Sequence, residues 1–146
     1  MLVVIASQNE LPLIKEYGYE GQPILITGVG GYNVIDALKN IPRNEYIINI
    51  GYVGSNNLHI GEDVTIGDVK TYHENVDFKE RLYKNLGGNI SCYTSTDFVT
   101  KTSIKEPCVF DMELAFIVAL GFENIRSLKR VSDNLNVKEY EENTQN

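Results

Sequence analysis

The sequence predicts an α/β fold: a single three-layer domain with a mainly parallel or mixed central sheet flanked by helices. Three observations predict it. Short β-branched runs, LVVIA (2–6), PILIT (23–27) and YIINI (46–50), have the pattern of strands buried on both faces. Segments of helical periodicity and short loops separate them, which is the order of βαβ units. With 146 residues, 42% hydrophobic and 23% charged, the chain has the size and composition of one domain with its own core.

Taken in order, the first strand is followed by a helix reaching about residue 17. Ser7 and Asn9 offer caps for it, Pro12 falls near its first turn and Gly18 supplies a stop. GVGG (28–31) is a tight turn, and YNVIDALKN (32–40) places Val34, Ile35, Ala37 and Leu38 on one helical face. YIINI ends at Gly51. Beyond Gly54, VTIG and VKTYH read as short strands with Gly61 and Gly67 as turn points. DFKERLYKNL (77–86) reads as a short helix, ISCYTS (90–95) and PCVF (107–110) as strands. MELAFIVALGF (112–122) is an apolar helix closed by Gly121, and IRSLKRVSD (125–133) is the final strand. The domain is thus assigned to residues 1–135. The polar segment 136–146, NVKEYEENTQN, is expected to fray.

The net charge of -7, with no basic patch, opposes a nucleic-acid surface or an anionic membrane as partner. No apolar run approaches the roughly 20 residues of a spanning helix. The opening MLVVIASQNE lacks the basic start and apolar length of a signal peptide, so a cytoplasmic location is expected. Cys92 and Cys108 have no Cys-x-x-Cys spacing and no nearby histidine, so they are expected to be reduced, partly buried thiols; no metal and no cofactor are expected. GVGG lacks the third glycine of a dinucleotide-binding turn, because position 33 is Asn33. No acid closes the strand about 20 residues on, where Asn49 stands.

Open α/β sheets bind ligands outside the carboxyl ends of their strands. Three acids fall there: Glu10 after the first strand, Glu113 after PCVF, and Asp133 at the end of the last strand. All have ordinary uses too. Asp133 suits a loop or a helix cap, and Glu10 and Glu113 suit the first turn of a helix.

The run VFDMELAF followed by RVSDNLN resembles the nucleoside phosphorylase superfamily, and within it most nearly the nucleosidases acting on 5'-methylthioadenosine and S-adenosylhomocysteine. The resemblance implies a phosphorylase/hydrolase-like fold. It implies that Glu113, after Met112, holds the ribose hydroxyls and that Asp133, after Ser132, protonates the leaving purine. Glu10 in ASQNEL matches the glutamate that activates water. NIGYVGS (49–55), with Gly54, resembles the glycine turn beside ribose and base. STDFVTKTS (95–103) resembles the loop that grips the base, with Phe98 stacking on the purine and the backbone of Val99 meeting its edge. Thr71-Tyr72-His73-Glu74 is similar to a Tyr-His step of the family. Phe98 and Met112 are equally suited to core packing, and His73 to a surface role.

The chain departs from the family in length, lacking strands before PILIT, much of the helix near 77–86 and a long C-terminal helix. Asp111 stands in place of a glutamate, and Tyr52 in place of a small residue. The implied reaction is hydrolysis of the N-glycosidic bond of a purine nucleoside. The alternatives are a phosphate-dependent phosphorylase and a non-catalytic nucleoside binder. No arginine lies beside the glycine turns, the nearest being Arg43, which favours water over phosphate. Missing cover on apolar faces points to a homodimer or higher homo-oligomer.

Overall fold

The computed structural model describes residues 1–73 and 81–145. β1 (Leu2–Ile5) lies between β2 (Ile24–Ile26) and β3 (Tyr46–Ser55), parallel to both. β3 is ten residues long and runs straight through Gly51 and Gly54, where the sequence suggested an end at Gly51. From Tyr46 to Gly54 it pairs in parallel with β8 (Asn124–Asp133), and its last two residues pair antiparallel with β7 (Cys108–Asp111).

β7 continues to β6 (Ile90–Thr94) and β6 to β4 (Asp63–Thr71), both parallel, and β4 returns antiparallel to β8. The strands β3, β8, β4, β6 and β7 therefore close a five-stranded barrel. The α/β class and the mixed sheet hold, but the central layer is a sheet curled on itself rather than an open one. Val53, Val131, Val64, Ile66, Cys92 and Val109, from all five strands, belong to one buried cluster. Closure leaves no free edge within the barrel, while β1 and β2 extend the sheet beyond β3 and β5 extends it beyond β4.

The helices cover what the barrel leaves open. α1 (Leu11–Glu16) buries Leu13 and Ile14 against Val3, Ile5, Ile48, Ile50 and Leu128. On the other side α2 (Gly31–Leu38) and α3 (Leu114–Ala119) add Val34, Leu38, Leu114 and Ile117 to the main cluster. Their approach is close, since a Cβ at Gly31 would meet the Phe116 ring.

Three further expectations are corrected. Leu82–Asn85, inside the segment read as a helix, is β5, hydrogen-bonded antiparallel to β4; residues 77–80 of that segment lie outside the described residues. The tail residues Val137–Thr144 form α4, capped by Asn136, whose side chain accepts from the Glu139 amide. β4, too, is a single strand passing through Gly67, with a register shift between Ile66 and Val69. Cys92 and Cys108 are both buried thiols. No helix among the described residues is long and apolar enough to cross a membrane.

Gly88 shows how tightly the β4–β5 corner packs: a Cβ there would collide with the carbonyl oxygens of Thr65 and Ile66. Backbone cannot yield as a flexible side chain does, so Gly88→Ala is expected to lower unfolding stability by about 1–3 kcal/mol in urea titration.

Candidate active site

Glu10 ends a single 3-10 turn (Gln8–Glu10) between β1 and α1. Its carboxylate turns back and accepts from the amides of Ala6 (2.8 Å) and Ser7 (3.3 Å) with one oxygen. The other oxygen accepts from the Tyr52 amide at 2.8 Å. The group sits over Gly51, where a Cβ would collide with it. Glycine at 51 is thus what lets the first loop reach β3. Burial raises the Glu10 pKa, and the Lys129 charge and these amides oppose the rise.

Glu113 stands at the start of α3, and its carboxylate accepts from the Gly30 amide at 2.8 Å. The GVGG turn therefore presents a backbone N–H to a carboxylate. Burial, then the neighbouring Asp111 charge, pushes Glu113 up to about 7 against the pull of Lys129 and the Gly30 amide. The α3 terminus itself is capped by Asp111, which accepts from the amides of Leu114 (2.7 Å) and Glu113 (3.3 Å) and from the Thr94 hydroxyl (2.5 Å).

Asp133 closes β8 after a bulge, because Val53 pairs with Val131 but Gly54 with Asp133, leaving Ser132 extra. The bulge sets Asp133 against Gly54, where a Cβ would lie 2.8 Å from its Oδ2. The Ser132 hydroxyl is 2.7 Å from one oxygen, and the Leu135 amide donates to the other at 3.0 Å. Asp133 is fully buried, and that burial raises its pKa.

Glu10, Glu113 and Asp133 line one cavity of about 200 Å³, together with Met112, Phe98 and Gly54. Val99 lines a small adjoining recess with Phe98 and Asp133, and Ser132 lies behind Asp133. All the candidate residues are thus gathered at one end of the barrel. Tyr52 lines the cavity as well, while its register partner Arg130 is engaged by Asp63 and Glu16. Tyr72 does not line the cavity itself but packs on Phe110, which does, and on Tyr93, and Glu74 lies outside the described residues.

Two residues escaped the sequence reading. Lys129 is 2% exposed on β8, with its ammonium 3.8 Å from Asp111. The period-two alternation Ser127, Lys129, Val131 was the available signal, since it places the lysine on the face of a buried valine. Tyr140, from α4, lines the cavity and meets the Phe98 ring edge-on at 5.6 Å between centroids. It lay in the segment expected to fray. Among the described residues no group of three or more His, Cys, Asp or Glu is placed to hold a metal.

The fold is similar to that of solved nucleosidases. The structure superposes on a mutant of the Chlamydia trachomatis enzyme bound to MTA with a TM-score of 0.73 and 17% identity, covering 98% of this chain and 88% of that one. It matches a Helicobacter pylori mutant holding 5'-methylthioadenosine in its active site with a TM-score of 0.75 and 12% identity, covering 97% and 89%. This chain has the 5'-methylthioadenosine/S-adenosylhomocysteine nucleosidase fold. A futalosine hydrolase mutant from Helicobacter pylori matches comparably, with a TM-score of 0.72 and 11% identity over 99% and 93%. No protein-family model and no curated protein matches the sequence. The nucleosidase fold is therefore carried here by a sequence far from those of the solved structures.

The raised Glu113 gives a test by stability. Between about pH 4.5 and 7 the native state holds a proton that the unfolded chain has released, so native stability falls as pH rises through this window. Glu113→Gln has no such charge to bury. Its stability relative to wild type is expected to rise by on the order of 2 kcal/mol between pH 5 and 8 in urea titrations.

Proposed function

We propose that the chain hydrolyses the N-glycosidic bond of a purine nucleoside, of the methylthioadenosine or S-adenosylhomocysteine type, and releases the free base. The observation that carries this reading is the convergence of Glu10, Glu113 and Asp133 on one cavity from three separate parts of the chain. Their environments differ, as acid, electrostatic and base roles in glycoside hydrolysis require.

In this reading a purine enters with its ring against Phe98 and its edge toward the Val99 backbone. Protonated Asp133, held by Ser132 and lying against Gly54, donates to N7, so the electron pair of the breaking bond leaves with a neutral base. Ionised Glu113 accepts from the ribose hydroxyls and favours the positive charge developing on the sugar. Met112 lines the sugar side. Water attacks the anomeric carbon and its proton passes to Glu10. The nucleosides and adenine named with the solved relatives support the ligand class.

A phosphorylase needs a cationic phosphate clamp, and no arginine lines the cavity. Arg43, the nearest by sequence, bonds the carbonyls of Leu38 and Ile41 and stacks on Phe122. Hydrolysis in the cytoplasm, with no added cofactor, follows from the same reading. The chain would act as a homodimer or higher homo-oligomer through an apolar face. Val29, Tyr32 and Ile35 surround an open groove beside the cavity, Tyr32 is 94% exposed, and Ile24 and Ile26 stand exposed on edge strand β2.

Adenine release measured by liquid chromatography tests the reaction. It is expected from methylthioadenosine without added phosphate, with kcat lower by about 10²–10⁴-fold in Asp133→Asn and binding retained. A strict phosphate requirement would sink the hydrolase reading, and binding without release from any purine nucleoside would leave a non-catalytic binder. Sedimentation at micromolar concentration is expected to show a dimer or larger species that Tyr32→Glu dissociates; a monomeric wild type contradicts the oligomer.

A further inference from the structure

Among the described residues Lys129 is the one buried lysine, and it does not line the cavity. A buried ammonium is costly unless it is paired, so its neighbours define its use. Asp111 of β7 lies 3.8 Å away. Glu10 approaches from the 3-10 turn: the position a Cβ would take at Gly51 is 3.3 Å from the Lys129 ammonium and in collision with the Glu10 carboxylate. Glu113, at the start of α3, and Cys92, on β6, also feel its charge. Asn49 and Ser127, the nearest polar side chains along the same face, are neutral and satisfy one another at 2.8 Å.

One cation thus stands beneath three acids that arrive from three different elements. Asp111 caps α3 and holds the Glu113 amide, and Glu10 anchors the first loop to Tyr52. We infer that Lys129 is a positioning residue: the buried counter-charge against which Glu10 and Asp111 are held under the cavity, without itself touching the ligand. Gly51 is the matching absence, since any larger residue would separate Glu10 from that charge. The inference concerns the charge of the site and stands whether or not the chain turns over a nucleoside.

Lys129→Met keeps an unbranched side chain one atom shorter and removes the charge, and Lys129→Arg retains the charge. An opposite charge a few ångströms from a carboxyl moves its titration by about 1–3 pH units. Carbon-13 titration of the labelled carboxyls is therefore expected to show the Glu10 and Glu113 midpoints higher by at least about one unit in Lys129→Met and close to wild type in Lys129→Arg. Unchanged midpoints in Lys129→Met, or the same rise in both variants, overturn the inference.

Thermal melts keep the test decisive where the methionine variant is too weak for titration. Protonated carboxyls need no counter-charge, so the Tm deficit of Lys129→Met against wild type is expected to fall by at least about half between pH 7.5 and pH 5. A deficit independent of pH, or a variant unfolded even at pH 5, contradicts a charge-balancing role and leaves Lys129 as packing alone.

Discussion

The long parallel pairing of β3 with β8 is the constraint on which the site depends. It closes the barrel, and it sets two glycines of one strand beside two ionisable residues of the other: Gly51 next to Lys129 and Gly54 next to Asp133. Without side chains at 51 and 54, Glu10 and Asp133 can approach the β3 backbone, and substituents there would collide with them. The extra residue at Ser132 matters as much. In a regular ladder Gly54 would pair with Ser132 and the alternation of the strand would turn Asp133 to the other face.

The electrostatics follow from that geometry. Three carboxyl groups, Glu10, Asp111 and Asp133, are buried at one end of a small barrel together with the Lys129 ammonium, and the half-buried Glu113 lines the same cavity as Glu10, Asp111 and Asp133. Burial raises Glu10, Glu113 and Asp133, and the opposing influences differ: the Lys129 charge and three amides at Glu10, Lys129 and the Gly30 amide at Glu113, a hydroxyl and backbone amides at Asp133. The Lys129 charge opposes the rise at Glu10 and at Glu113. The three raised carboxyls of the cavity thus sit in different surroundings, two of them under the influence of the buried ammonium and the third held by a hydroxyl and backbone amides.

Much of the fold could be read in the sequence because its strands are short β-branched runs, and all three acids lie where strands end. The errors have physical causes. Gly51, Gly54 and Gly67 look like breaks, but within a closed sheet they are points of close approach, and neighbouring strands hold them extended. LYKN has the residues of a helix as well as of a strand, and the antiparallel partner Asp68–Lys70 decides for the strand. The acidic segment 137–144 would be a weak helix in isolation; the Asn136 cap and packing against β8, including the hydrogen bond that the Asn143 side-chain amide donates to the Ser132 carbonyl, hold it in place. Barrel closure depends on the pairing of β4 with β8, which no local pattern encodes.

The central claim is that this end of the barrel is a purine nucleoside site with Asp133 at the base and Glu113 at the sugar. A crystal structure of the chain with 5'-methylthioadenosine tests it most directly. The account predicts the purine ring against Phe98, N7 within hydrogen-bond distance of the Asp133 carboxyl, and both ribose hydroxyls on Glu113. A nucleoside bound elsewhere, or bound in this cavity with its sugar toward Asp133, would contradict it.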